Sequence, residues 1–284
     1  MKKIIALALA ILMMAGALFT FSACNDEQEL NFGAEYSPLT AQMDVLLQLN
    51  TKSVDVGVMD SIMAGYYMSQ DSTYSEKLMI VENLTLVTEQ YGIAARKGSG
   101  LIKKINQALI DLTKEGKVET LADKYGIKSE LCINPLQSVD PLTADEQKDW
   151  DYIKGNGEFI VGYTLFAPIA YKEDGKLIGF DIELAKAVAE KLELNVKFEL
   201  IEWSAKEAKL ESKAIDCIWN GMTINEERLA AMEISIPYLN NKQVAVIRKE
   251  DKAKYKTTAD MADAIVAAEE GSAGEACIIK AEEK

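Results

Sequence analysis

Hydrophobic positions along this 284-residue chain change their period repeatedly. Val54-Asp55-Val56-Gly57-Val58, Phe159-Ile160-Val161-Gly162-Tyr163 and Val196-Lys197-Phe198-Glu199-Leu200 alternate at period two, which predicts strands. Phe180 to Leu194 places Leu184, Val188 and Leu192 four apart and predicts a helix with Asp181 as its N-cap. Leu101 to Glu115 places Leu101, Ile105, Leu109 and Leu112 on one face, with Gly116 as a stop. Strands alternating with amphipathic helices indicate an α/β protein built on mostly parallel sheets. Ligands of such sheets bind at the carboxyl ends of the strands. Asn134 to Pro141 carries two prolines and no period, and separates the helix ending near Tyr125 from a helix near Trp150. No internal repeat and no low-complexity tract is evident.

The amino terminus has a different pattern. Lys2 and Lys3 precede an apolar run from Ile4 to Phe21, followed by Ser22-Ala23-Cys24. A basic start, an apolar stretch and small residues predict a secretory signal peptide over residues 1–23, although the run is also long enough to cross a membrane. Phe21-Ser22-Ala23-Cys24 resembles a bacterial lipobox, with Phe21 where leucine is commoner, so Cys24 is expected to be lipidated. A single lipidated cysteine would tether the protein to a membrane surface through residues 24–30.

Composition narrows the chemistry. The chain has 31 Lys+Arg, 45 Asp+Glu and no histidine, for a net charge of −14. Ser-His-Asp and Cys-His catalysis are excluded, as are His-containing zinc sites. The acidic balance argues against nucleic acid as a partner. The 49% hydrophobic content is that of a globular protein. Cys132, Cys217 and Cys277 form no CxxC pair, so neither a metal site nor a cofactor is indicated. Cys217 lies in an apolar run and reads as buried, and a bond between Cys132 and Cys277 is left open.

Three loops and two aromatics are candidates for one binding site. In Trp219-Asn220-Gly221-Met222-Thr223-Ile224-Asn225-Glu226-Glu227-Arg228 an apolar strand ends, a glycine permits close approach and a helix begins near Asn225. Thr223 and the Arg228 fork suit a small carboxylate, though Arg228 could equally pair with an acid of its own helix. Asp60 ends an apolar strand and either caps the following helix or offers an anion to an ammonium group. Gly271, Ser272 and Ala273 form a small-residue loop that either turns the chain or presents N–H donors. Phe166 and Trp203 each follow a predicted strand and either pack in the core or sandwich a ligand side chain.

Together these segments resemble a bacterial extracellular solute-binding protein of the polar amino-acid class, the receptor of an ABC importer. The resemblance rests on Gly179-Phe180-Asp181-Ile182-Glu183-Leu184, Asp216-Cys217-Ile218-Trp219-Asn220-Gly221-Met222-Thr223 with Glu227-Arg228, Ser235-Ile236-Pro237-Tyr238, Gly271-Ser272-Ala273-Gly274-Glu275, Val54 to Asp60, and Tyr91-Gly92-Ile93-Ala94 with Arg96-Lys97-Gly98. It implies a two-lobed periplasmic-binding-protein-like (type II) fold with two hinge strands, closing on a ligand. It further implies that Arg228 clamps an α-carboxylate with Thr223 and the backbone of Gly221 and Ser272. Asp60 would take the α-ammonium, Phe166 and Trp203 would flank the side chain, Asn220 would join them in favouring a polar or amide one, and Ala273 would give the carboxylate a backbone donor only. The family often has a second hydroxyl where Ala273 stands and an aromatic where Ile169 follows Pro168.

The order of the segments departs from the family. There the Val161 strand comes early and the Tyr91-Gly92-Ile93 segment late; here the late segment comes first, as in a circular permutant. The expected lobes are 31–91 plus 249–284, and 92–248 including a linker over 130–148, with hinges near Val244–Arg248 and Tyr91–Ala95. The expected function is capture of a polar amino acid for ABC permease subunits by a monomer anchored outside the cytoplasm through its lipid. A ligand sensor without a transporter, or a dehydratase using the pocket carboxylates, would share the fold. Nothing in the residues points specifically to turnover, so the chain is expected not to be an enzyme.

Overall fold

The computed structural model describes residues 29–280. The expected signal peptide, Cys24 and tether residues 24–28 lie outside them. Eleven strands are present among the described residues: β1 Glu35–Leu39, β2 Val56–Asp60, β3 Leu78–Arg96, β4 Glu158–Tyr163, β5 Tyr171–Glu173, β6 Lys176–Ile178, β7 Asn195–Leu200, β8 Cys217–Thr223, β9 Met232–Ile234, β10 Leu239–Arg248 and β11 Ile265–Glu269. The helices are α1 Gln42–Asn50, α2 Ser61–Gln70, α3 Ser72–Ser75, α4 Leu101–Lys114, α5 Lys117–Lys124, α6 Ala144–Asn156, α7 Phe180–Leu192, α8 Lys206–Glu211, α9 Glu226–Ala231 and α10 Ala273–Ile278. None is long and apolar enough to cross a membrane.

One sheet runs in the order β1-β11-β2-β10-β3-β8-β4-β7, with β9 also on β3. Its two wings are parallel. β1, β11 and β2 form one, and β8, β4 and β7 form the other. Between them β10 and β3 pair antiparallel from Leu239 opposite Tyr91 to Arg248 opposite Leu78. The mostly parallel expectation therefore holds for the wings but not for the centre.

At Tyr91 β3 changes partner from β10 to β8, and its end pairs with β9. The expected hinge at Val244–Arg248 is displaced. Residues 243–247 pair with β2 as well as β3, so that stretch is locked inside one wing. The change of surroundings along β10 falls nearer Leu239–Gln243.

Each wing is pinned to a crossing strand in the same way. Arg96, near the end of β3, donates to Asp216 Oδ1 at 3.0 Å and to the Ile215 carbonyl at 2.9 Å, while Asp216 Oδ2 accepts from the Ile160 N–H. Arg248, at the end of β10, donates to Asp55 Oδ1 at 2.9 Å and to the Val54 carbonyl at 2.6 Å, while Asp55 Oδ2 accepts from the Ile265 N–H. In both, an aspartate just before a parallel strand satisfies a neighbouring strand and a guanidinium at once. Charge-assisted bonds of this kind are the stronger ones.

Further expectations change. β2 is buried at every position, because helices cover one face and β10, β11 and the second core cluster close the other. Its alternation is of residue type rather than exposure. Asp181 does not cap α7. The N-cap position is Gly179, without a side-chain bond, and the buried Asp181 carboxylate accepts from Gly221 N–H at 3.1 Å and Tyr238 O–H at 2.8 Å. Cys132 and Cys277 are free thiols, so they do not bond to each other, and Cys217 is buried as expected.

The wings leave little slack. A Cβ at Gly57 would overlap Val45 Cγ1 and lie 3.1 Å from Leu49 Cδ1, whereas one at Gly65 in α2 would meet nothing within 4 Å. Gly57→Ala is expected to destabilise the protein by about 1–3 kcal/mol through overpacking. Gly65→Ala should be neutral or stabilising by up to about 1 kcal/mol. Urea denaturation of both variants checks this; equal effects would contradict the packing described.

Candidate functional site

The carboxyl ends of β2, β8 and β11, and the segments after β4 and β7, converge on one small cavity of about 20 Å3, room for about one water. All nine residues expected at a site line it: Asp60, Phe166, Trp203, Asn220, Gly221, Thr223, Arg228, Ser272 and Ala273. Asp60, Ser272 and Ala273 come from one wing and the others from the opposite wing.

Arg228 is positioned by its own short helix. Asn225 caps α9, accepting from the Arg228 N–H at 2.8 Å, which sends the side chain back toward the cavity. The buried guanidinium donates to the Thr223 carbonyl at 2.9 Å and to the Gly271 carbonyl at 3.2 Å. Trp203 Nε1 and Lys206 Nζ reach the same Gly271 oxygen at 3.1 and 3.2 Å. One carbonyl of the β11 loop thus gathers three donors from the opposite wing and holds the cleft closed.

Asp60 behaves as a buried anion site rather than a cap. It occupies the N-cap position of α2 but makes no capping bond. Its carboxylate instead accepts from the Tyr91 hydroxyl and from the amides of Gln42, Asn241 and Gln243. No Lys or Arg among the described residues pairs with it. Burial, then the Glu89 carboxylate nearby, pushes the Asp60 carboxyl up to about 7. The same burial, with Asp60 beside it, raises Glu269 to about 8, and burial raises Asp181 to about 7.

The remaining residues are more committed than the sequence suggests. The Gly221 N–H is bonded to Asp181 and Tyr238, and its φ of +63° with Phe166 Cε1 2.8 Å from a would-be Cβ explains the glycine. Ser272 caps α10 by accepting from the Glu275 N–H at 3.1 Å. Thr223 donates its hydroxyl to Glu89 Oε2 at 2.9 Å. Asn220 donates to Thr164 at 2.7 Å, and Phe166 meets Tyr91 edge-on, centroids 6.4 Å apart.

Gln42, Thr164, Gln243 and Glu269 also line the cavity, with Glu89, Lys206 and Asn241 bonded to its walls. The residues had not marked these positions. Glu269 was traceable as the acid ending an apolar strand beside the Gly271 loop. No group of metal-holding geometry occurs among the described residues.

A two-winged α/β sheet crossed by two strands, with a cleft holding one buried arginine and one buried aspartate, is a type II periplasmic-binding-protein fold. Residues 159–272 match the model of the bacterial extracellular solute-binding proteins, family 3. It is 35% identical over 105 residues to the probable amino-acid-binding protein YxeM of Bacillus subtilis, covering 37% of this chain and 39% of that one. It is 32% identical over 111 residues to the L-cystine-binding protein TcyJ of Escherichia coli, covering 38% and 42%. The chain thus spans about two fifths of the length of these relatives. The arginine-bound form of domain 1 from TmArgBP is 34% identical over 36% of this chain and 89% of its own, with a TM-score of 0.31.

The raised carboxyls set a pH dependence. An acid whose folded pKa exceeds its unfolded value holds its proton longer in the folded state, so stability falls as pH rises between the two. With Asp60 and Asp181 near 7 and Glu269 near 8, the urea midpoint is expected to fall from pH 5 to pH 8. Asp60→Asn should remove part of that fall. A midpoint that rises with pH over this window would refute the assignment.

Proposed function

We propose that this protein captures a free polar amino acid in the cleft between its wings and delivers it to ABC permease subunits. The observation carrying the reading is that Arg228 and Asp60, from opposite wings, line one cavity. A zwitterion needs one fixed cation and one fixed anion, each desolvated only when paired. In this reading Arg228 takes the α-carboxylate and Asp60 the α-ammonium, Phe166 and Trp203 flank the side chain, and the β3–β10 crossing is the hinge. The amino-terminal lipid on Cys24 would hold the receptor, as a monomer, to the outer side of the cell membrane. The relatives are named as amino-acid-binding proteins, which favours binding over turnover.

A thermal-shift screen of the twenty amino acids tests this. At 100 times its Kd a ligand stabilises by about 2.7 kcal/mol, and Arg228→Ala should abolish the shift while leaving a folded protein. No shift with any amino acid would sink the reading.

We also propose that the chain is a circular permutant, with one lobe from 31–91 plus 249–284 and the other from 92–248. The family match starts at residue 159, while residues before it supply β1, β2 and β3 of the same sheet. Residues 29–31 lie against 278–280: Leu30 bridges Ile279, the Asn31 N–H donates to the Ile278 carbonyl at 2.7 Å, and the Lys280 N–H donates to the Glu29 carbonyl at 2.8 Å. The segment 131–143, between the 3-10 turn Lys128–Glu130 and α6, is the joint that permutation requires. A reordered chain, 142–280 joined by a short Gly/Ser linker to 29–141, should fold cooperatively and keep the ligand shift. Failure to fold with both a two- and a six-residue join would count against permutation.

A further inference from the structure

Resting on the zwitterion reading above, we infer that the ligand carries a second positive charge on its side chain: it is a basic amino acid, diamino or guanidino. Three carboxylates, Asp60, Glu89 and Glu269, are buried at or beside the cavity, 6%, 7% and 5% exposed. None of them forms an ion pair among the described residues, where all the ion pairs lie elsewhere. Asp60 and Glu89 share neutral donors: Asn241 Nδ2 donates to both, and Gln243 Nε2 reaches them at 3.0 and 2.8 Å. The cations facing this group are Arg228 and Lys206, and both give hydrogen bonds to the Gly271 carbonyl instead.

A second observation is independent of the acids. Asn220 Oδ1 and Gln243 Oε1 are buried acceptors without a partner, and both residues line the cavity. A buried acceptor left unpaired costs about 1–3 kcal/mol, so the lining asks for N–H donors. An α-ammonium brings three donors but only one positive charge to this group. A second ammonium or a guanidinium supplies further donors and a charge for Glu269, which has no Lys or Arg partner among the described residues. A carboxylate side chain would instead bring a further acid beside three buried carboxyl groups, two of which already hold their protons more tightly. The cavity also adjoins a cleft mouth of about 760 Å3 bordered by Glu89, Glu207, Glu227, Glu270 and Glu275, which outnumber Lys206, Arg228 and Lys280 on the same lining. That gives a long basic side chain an acidic path outward.

Titration calorimetry of the full chain at pH 7 with L-lysine, L-arginine, L-glutamine, L-glutamate and putrescine tests the inference. Lysine or arginine should bind at least about ten-fold tighter than glutamine, as one charged hydrogen bond implies. Glu269→Gln should erase most of that advantage by weakening lysine or arginine binding more than it weakens glutamine binding. As a measurement that needs no variant, heats in two buffers of different ionisation enthalpy should show more proton release for the basic amino acid than for glutamine. Tighter binding of glutamine or glutamate, lost in Arg228→Ala, would overturn the inference and leave the amino-acid function standing. Putrescine binding as tightly as lysine would also overturn it, because no carboxylate would then be read. Binding of none of the five, together with no shift across the twenty amino acids, would remove the function itself.

Discussion

Everything in this molecule hangs on the pairing of β3 with β10. Nineteen residues of β3 run from one wing into the other, and ten residues of β10 pair along it. Strand pairing satisfies the backbone groups it covers, so this seam ties the two wings to each other. The register shifts at Gln243/Val244 and Val244/Val246 interrupt the regularity next to the cleft. Bulges bend a strand and re-aim its side chains. Here they accompany Gln243 and Asn241 reaching Asp60.

The seam explains the chemistry of the cleft. Asp60 sits where β2 meets β10, opposite Gln243. It is desolvated by the sheet itself, with amides and one tyrosine hydroxyl as its partners. A buried carboxylate held by neutral donors pays for its burial by holding a proton more tightly, which is why its titration moves toward neutrality. Arg228 is the mirror case: a guanidinium brought in from solvent and occupied by carbonyls rather than by an acid. The two charges are kept apart in the closed cleft, each held by groups that a stronger partner could replace.

Much of this was legible in the residues, and the reason lies in where the signals were. Asp60, the Gly221–Arg228 stretch and the Gly271–Ala273 loop all punctuate the ends of apolar runs. In an α/β sheet strand ends are where ligands lie, and the nine residues chosen on that ground line one cavity. What escaped notice sits inside strands. Asn241 and Gln243 alternate along β10 and look like the solvent face of a half-exposed strand, and only flanking by both β2 and β3 buries them. Glu89 fails to stand out for the same reason, two residues before the buried Tyr91. Asp181 was misread because an acid in a first helical turn is usually a cap or a dipole partner. Nothing local to α7 reveals that Tyr238 and Gly221 wait for its carboxylate. The antiparallel centre was equally invisible, since a period of two carries no direction.

The order of the strands gives the two wings different histories. β8, β4 and β7, with α4 to α7 packed around them, come from one continuous stretch and need only β3 from outside it. The other wing inserts β11, the last strand, between β1 and β2, the first two. Residues 193 or more apart must meet before that wing has a core, and loop closure over such separations is unfavourable until the contacts form. The Arg248–Asp55 bond, and the contacts of residues 29–31 with 278–280, join partners of this kind. Charge-assisted and backbone bonds there act on the element with most to lose entropically. The continuous wing needs no such closure, yet it carries the equivalent Arg96–Asp216 bond. The clamp therefore belongs to the geometry of a wing on a crossing strand, independent of the order in which the chain visits it.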